Sequence, residues 1–380
     1  MKAYLILADG TVFEGTSIGA TGSTIGETVF TTGMTGYLET LTDPSYYGQI
    51  VTQTFPLIGN YGVIPEDYES RKSFVRGYIA RELCDLPSNF RCSGDLDSFL
   101  KAQGVIGICG IDTRALTKRL REAGVMNGMI ISGKNAENFE PTLELFQKIK
   151  EYKITDAVKI VNIKEGESLP PGFSPSAFTT PPSPKGDTPL KSPAPHVVLY
   201  DFGAKLNIQR ELEKRGCRVT VVPYNTTAEE VISLNPDGIM LSNGPGDPAE
   251  NTGIIAEIKK LCDYGKIPIF GICLGHQMLA LARGCKTSKL KYGHRGGNHP
   301  CKDTETGRVY ITSQNHGYAV ETGSLPAFAK QSFTNVNDNT CEGITYTDIP
   351  AFSVQFHPEA CGGPHDTNFL FDRFVSFFNS

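Results

Sequence analysis

The chain reads as α/β in its second half, with an open, mostly parallel sheet and flanking helices, and as a β-rich α+β domain in its first half. Three observations predict this. A length of 380 residues exceeds one ordinary core, since domains usually run to roughly 100–200 residues. Nine of the 24 prolines fall between Pro170 and Pro195, interleaved with Ser, Thr, Gly and Lys, which is linker composition. From His196 onward, short apolar strand-like runs alternate with helical stretches, and such alternation implies a parallel sheet with crossover helices.

The expected boundaries are an N-terminal domain over 1–155, a proline-rich linker over 156–195 and a C-terminal domain over 196–380. The first part is rich in Gly, Thr and β-type runs such as Gly48 to Phe55, and it carries a helical stretch from Asp112 to Arg121, where an Asp or Thr start precedes apolar residues at helical spacing. The segment from Glu165 to Pro195 is expected to be exposed connection without catalytic duty. In the last part, Val197–Tyr200, Val219–Val222, Asp237–Leu241 and Pro268–Ile272 read as buried strands, with a helix from about Asn207 to Arg215. Chemistry in such sheets sits at the carboxyl ends of the strands.

Composition excludes several classes. Apolar residues make up 39% and charged residues 20%, the balance of a soluble globular protein, and no apolar run approaches the roughly 18 residues of a membrane span. The first residues enter a strand pattern without a signal-peptide layout, so a cytoplasmic location is expected. A formal net charge of −5 leaves no basic footprint for nucleic acid. The ten cysteines lack zinc-type spacing and read as reduced thiols, and the histidines show no ligand-like grouping, so no metal site is expected.

The sharpest local signal is Gly271-Ile272-Cys273-Leu274-Gly275-His276-Gln277, which follows a buried strand and opens a helix. That is the layout of a nucleophile elbow. Cys273 then sits at a helix N-terminus, where the dipole and nearby N–H groups favour the thiolate. Its base and orienter are found in His357-Pro358-Glu359: proline keeps His357 extended, and residues i and i+2 of extended chain project to one side. His276, inside the elbow helix, reads as structural. Donors for an oxyanion are expected from the backbone of Leu274 and of Gly244, in the loop Ser242-Asn243-Gly244-Pro245-Gly246-Asp247-Pro248.

These three motifs, in this order and spacing, resemble the triad-type (class I) glutamine amidotransferases, whose fold is flavodoxin-like. The resemblance implies attack of the cysteine on the glutamine side-chain amide, release of ammonia, a glutamyl thioester and its hydrolysis. The first half narrows it further. Gly33-Met34-Thr35-Gly36-Tyr37, Leu41-Thr42-Asp43-Pro44-Ser45-Tyr46, Gly110-Ile111-Asp112-Thr113-Arg114 and Tyr200-Asp201-Phe202-Gly203-Ala204-Lys205 are similar to the small subunits of carbamoyl-phosphate synthetases. That likeness implies a catalytic triad of Cys273, His357 and Glu359, and a glutamine pocket lined by Gly246, Gln277, Asn315, Gly317 and Tyr318, with Ser45 reaching it from the first domain and Gly244 and Leu274 serving the oxyanion. It also implies a large synthetase subunit as partner in a heterodimer or higher oligomer, L-glutamine as substrate, no cofactor in this chain, and ATP and Mg on the large subunit. The same resemblance implies that the carbamoyl phosphate serves pyrimidine and arginine biosynthesis. Phe356 and Cys361 stand where glycine and serine are frequent in that family, and Tyr318 where phenylalanine is common.

Three competing readings meet obstacles in the same residues. The glutaminase of another amidotransferase, for anthranilate or guanylate synthesis, does not bring the first 155 residues. A catalytically silent docking or regulatory subunit has no need of Cys273, His357 and Glu359 together. A stand-alone cysteine hydrolase has no use for Gln277 and Asn315-His316-Gly317.

Overall fold

The computed structural model describes residues 1–137, 139–162, 194–360 and 362–379. Most of the proline-rich segment, and Cys361, lie outside them. The chain divides into two compact units, one comprising chiefly Met1–Ala157 with Lys289–Asn298, the other Val158–Ser288 and His299–Ala360 with the C-terminal helix. Among the described residues, no helix is long and apolar enough to cross a membrane.

Unit 1 is built on strands β1 (Lys2–Leu7), β2 (Val12–Gly19), β3 (Ser23–Thr31), β4 (Gln49–Gln53), β5 (Leu57–Ile58), β6 (Gly77–Ile79), β7 (Glu82–Leu83), β8 (Ile106–Cys109) and β9 (Met126–Ser132). Seven of them close a barrel in the order β1-β2-β8-β6-β4-β3-β9, with β9 returning to β1 in antiparallel register, Leu5 opposite Ile130. The short β5 and β7 pair separately. Closure removes exposed strand edges. The helix expected after Asp112 runs from Thr113 to Ala123, with Asp112 Oδ1 accepting the Ala115 N–H as its cap, and its Leu116 and Leu120 join Leu5, Ile50, Ile108 and Ile130 in one apolar cluster.

Unit 2 carries the continuing strands β10 (His196–Asp201), β11 (Arg218–Pro223), β12 (Gly238–Leu241), β13 (Ile269–Ile272), β14 (Thr287–Asp303, of which 287–288 and 299–303 belong here), β15 (Val309–Val320), β16 (Ala329–Asn335), β17 (Cys341–Tyr346) and β18 (Ala351–Val354). The sheet order is β11-β10-β12-β13-β18-β17-β15-β14-β16. The first five strands are parallel. From β17 onward the pairing turns antiparallel, so the parallel sheet that alternation predicts covers just over half of the strands. The antiparallel part comes from residues 287–346, where no α-helix intervenes and short connections suffice.

Parallel strands covered on both faces read as continuous apolar runs, and alternate residues separate into two cores. Val198, Tyr200, Ile239 and Leu241 face a cluster with Ile258, Leu274 and Met278. Val197, Leu199, Met240 and Phe270 face another with Ile208, Leu212, Phe371 and Phe374. Residues 157–161, which composition assigns to the linker, form a short helix whose Val158 joins the first of these cores. Its apolar sequence, Ala-Val-Lys-Ile-Val, gains more from burial than from solvation.

Phe270 is the hub of the second core. It is fully buried, stacks on Phe352 at a centroid distance of 4.3 Å and meets Phe371 edge-on at 5.8 Å. Removing such a ring loses transfer energy and leaves a cavity. Phe270→Ala is expected to lower stability by about 3–5 kcal/mol, seen as a lower urea midpoint for the full chain; a loss below about 1 kcal/mol would contradict the assigned packing.

Candidate active site

Cys273 lies at the turn between β13 and the helix Leu274–Ala282, with φ 53° and ψ −101°. A non-glycine residue in the left-handed half of φ space costs on the order of 1–3 kcal/mol and persists only where the surroundings impose it. Here they do. The Cys273 N–H donates to the Val354 carbonyl at 2.9 Å and the Gly275 N–H to that of Ser242 at 3.0 Å, tying the turn to the ends of β18 and β12. The packing permits only glycine at two places: a Cβ on Gly271 would lie 2.9 Å from the Gly275 backbone, and one on Gly275 would lie 2.2 Å from the Leu241 carbonyl oxygen. The thiol is buried and donates to the Asn315 carbonyl, Sγ to O 3.6 Å.

Parallel pairing of β13 with β18 sets Ile272 beside Val354, so the residues that follow each strand emerge at the same sheet edge. His357 and Glu359 lie there, both fully buried. His357 Nδ1 donates to Glu359 Oε1 at 2.6 Å. This fixes the proton on Nδ1 and leaves Nε2 as the basic nitrogen, and Nε2 has no hydrogen-bond partner among the described residues. Burial pushes the Glu359 carboxyl up, but the charges of His357 and Lys205 and the imidazole hydrogen bond outweigh it and hold the pKa down to about 2. His276 takes no part. It is buried inside the elbow helix with Nδ1 2.8 Å from Ser353 Oγ, and burial lowers its pKa to about 3, which keeps it neutral.

Gly244 follows β12 in a loop pinned from two sides: the Phe202 N–H donates to Ser242 Oγ and the Lys205 N–H to Asn243 Oδ1, both at 3.0 Å. Gly244 touches the elbow, since a Cβ there would meet the Phe202 carbonyl at 2.3 Å and the Leu274 side chain at 2.8 Å. Gly246 sits two residues on, at φ 93°. Leu274 is the first residue of the helix, where N–H groups have no partner within the helix. One turn on from Cys273, Gln277 Nε2 donates to the Tyr318 carbonyl at 2.8 Å and to Gln355 Oε1 at 2.9 Å. Contacts thus join Cys273 to Asn315, Gly244 to Leu274 and Gln277 to Tyr318, His357 and Glu359 pair with each other at the same sheet edge, and Gly317 lies between Asn315 and Tyr318 on β15. Phe356 is fully buried and packs edge-on against Phe333 at 5.2 Å. In unit 1, Ser45 is buried in the turn Pro44–Tyr46, its N–H donating to Asp43 Oδ1 at 2.8 Å.

With that geometry in place, residues 198–377 match the class-I glutamine amidotransferase family and residues 5–130 match the carbamoyl-phosphate synthase small chain, CPSase domain. The carbamoyl phosphate synthase small chain of Clostridium perfringens (strain 13 / Type A) is 50% identical over 378 residues, covering 99% of each chain. That of Listeria monocytogenes serotype 4b (strain F2365) is 49% identical over 379 residues, covering 100% of this chain and 97% of the relative. The small chain of Akkermansia muciniphila is 49% identical over 383 residues, covering 98% and 96%. The chain belongs to the carbamoyl phosphate synthase small chain family.

Motif reading assigns no role to two residues that the fold brings to His357 and Glu359. Lys205 Nζ lies 3.3 Å from Glu359 Oε1 and 3.2 Å from His357 Nδ1. Because Nδ1–H already donates to the carboxylate, the ammonium donates to the carboxylate as well. Asn207 Nδ2 donates to the Glu359 carbonyl. Both follow the carboxyl end of β10, where chemistry is expected, and Lys205 also ends the motif Tyr200-Asp201-Phe202-Gly203-Ala204-Lys205, to which sequence reading gave no role at the site.

Lys205 helps to keep Glu359 ionised. A carboxyl whose folded pKa lies below its unfolded value adds stability that is present above the unfolded pKa and lost as pH falls towards the folded one. In Lys205→Met one of the two cations is gone, so the folded pKa of Glu359 rises and its contribution shrinks. Urea midpoints recorded from pH 7 to pH 3 are therefore expected to fall less with acid in the variant than in wild type; superimposable profiles would contradict the ion pair.

Proposed function

We propose that this chain is the glutamine-hydrolysing subunit of a carbamoyl phosphate synthase, with Cys273 as nucleophile, His357 as base and Glu359 as the group that orients it. The observation that carries the reading is the 2.6 Å contact from His357 Nδ1 to Glu359 Oε1, at the same sheet edge as a cysteine held in a strained elbow. Cys273 Sγ attacks the side-chain carbonyl carbon of glutamine while His357 Nε2 takes the thiol proton. Negative charge gathers on the carbonyl oxygen, where the N–H groups of Leu274 and Gly244 receive it. His357 returns the proton to the departing nitrogen, and ammonia leaves. Water, deprotonated by the same imidazole, then hydrolyses the thioester to glutamate.

A small chain of this family works with a large one. The large chain takes up the ammonia for carbamoyl phosphate synthesis and is where ATP, Mg and bicarbonate are engaged. Gln277, Asn315, Gly317, Tyr318 and Gly246 form the wall that receives glutamine, and hydrogen bonds link Cys273 to Asn315 and Gln277 to Tyr318.

Cys273→Ser is expected to abolish glutamine-dependent carbamoyl phosphate formation by the complex and to leave ammonia-dependent formation intact, because an alcohol is far harder to ionise than a thiol. Near wild-type use of glutamine by this variant would remove Cys273 from the mechanism. Glu359→Ala should be milder, lowering kcat on the order of tenfold to a thousandfold while Cys273→Ala abolishes turnover; the reverse ranking would overturn the orienting role.

A further inference from the structure

The side-chain amide of Gln277 is held in one orientation by its surroundings. The Tyr318 carbonyl can only accept, so the group facing it at 2.8 Å is Nε2. The second Nε2 proton goes to Gln355 Oε1 at 2.9 Å. Both donors of Gln277 are thereby used, and what the side chain has left for a ligand is its carbonyl oxygen. Helical side chains lean toward the helix N-terminus, and four residues before Gln277 stands Cys273.

Gln355 keeps this arrangement at a cost to itself. It is fully buried, and its own Nε2 has no hydrogen-bond partner among the described residues. Reversing its amide would set two donors against each other, so the unsatisfied N–H follows from holding Gln277. A buried donor without a partner destabilises the fold, and one that is retained calls for an explanation. Gln355 lies two residues before His357, and its N–H donates to the Glu342 carbonyl at 2.9 Å, which anchors it to β17.

We propose that Gln355 is a positioning residue that locks the Gln277 amide with its carbonyl oxygen toward the glutamine pocket, where it accepts from the α-ammonium group of the substrate. The proposal rests on the glutaminase reading above. Free glutamine carries a donor, the ammonium, and an acceptor, the carboxylate, at its α-carbon, and a carbonyl oxygen reads only the donor. Gln355 touches no substrate atom and acts through Gln277, so its loss weakens binding of ground state and transition state alike.

The test uses the full chain with its large partner and follows glutamate release from L-glutamine for Gln355→Met, Gln277→Met and the double variant. Methionine fills the Gln355 site without an acceptor and removes the unsatisfied N–H. Gln355→Met is expected to fold at least as stably as wild type, to raise KM about tenfold and to lower kcat by less than threefold. The double variant should show the KM of Gln277→Met alone, since one residue acts through the other. A KM within twofold of wild type in Gln355→Met, a fall in kcat without a rise in KM, or KM changes that multiply in the double variant would each overturn the proposal. If Gln355→Met does not fold, Gln355→Glu decides: it keeps the acceptor, so KM should stay within threefold, and a tenfold rise overturns the lock. Failure of the glutaminase reading itself shows separately, as glutamine turnover that survives in Cys273→Ser.

Discussion

The backbone of Cys273, held at positive φ between a strand and a helix, is the constraint on which the rest of unit 2 depends. Three strand ends meet there: β13 supplies the residue, β18 accepts its N–H through Val354, and β12 accepts the next turn through Ser242. Side chains at Gly271 and Gly275 would drive these elements apart. The same strand ends carry what the chemistry requires, since the chain beyond β18 leads to His357 and Glu359, and the chain beyond β12 to Gly244. One tight turn thus determines both the exposure of the nucleophile to its donors and the distance over which its base has to reach.

Electrostatics complete what the backbone starts. An imidazole, a carboxylate and an ammonium share a dry site, an arrangement that is favourable only when each charge is paired. Glu359 lies between His357 and Lys205 and remains ionised far below its ordinary range. The carboxylate therefore accepts from Nδ1, and Nε2 is the ring nitrogen left to act as base. The buried His276 shows the contrast. With no carboxylate beside it among the described residues, burial lowers its pKa and it stays neutral, although it lies much closer to Cys273 in the chain than His357 does.

Unit 1 follows a different logic. Its strands close on themselves, with β9 returning to β1, and helix Thr113–Ala123 adds its apolar stripe to one of the cores. The β-type runs and the cap at Asp112 were visible in the residues. Closure was not, because strand partners such as Leu5 and Ile130 lie far apart in the chain and alternation within a strand does not say which strand comes next.

What the sequence determined by itself was local chemistry. Gly-Ile-Cys-Leu-Gly at the end of an apolar run specifies an elbow, because few other residues tolerate such close backbone approach, and His-Pro-Glu specifies an extended pair whose side chains share a side. The two-faced burial of β10, β12 and β13 was legible as unbroken apolar runs, whereas the antiparallel extension through β14 to β17 was not, since the alternation of strands and helices was read only as far as the helix after Cys273. Only the tertiary structure decided that Lys205 meets a carboxylate 154 positions later and that Gln355 takes a proton of Gln277, 78 residues before it. Contacts of this kind leave no periodicity in the chain. They arise because parallel strands deliver their carboxyl ends to one edge in an order set by topology, and a buried polar group must then find its partner among whatever residues that edge brings together.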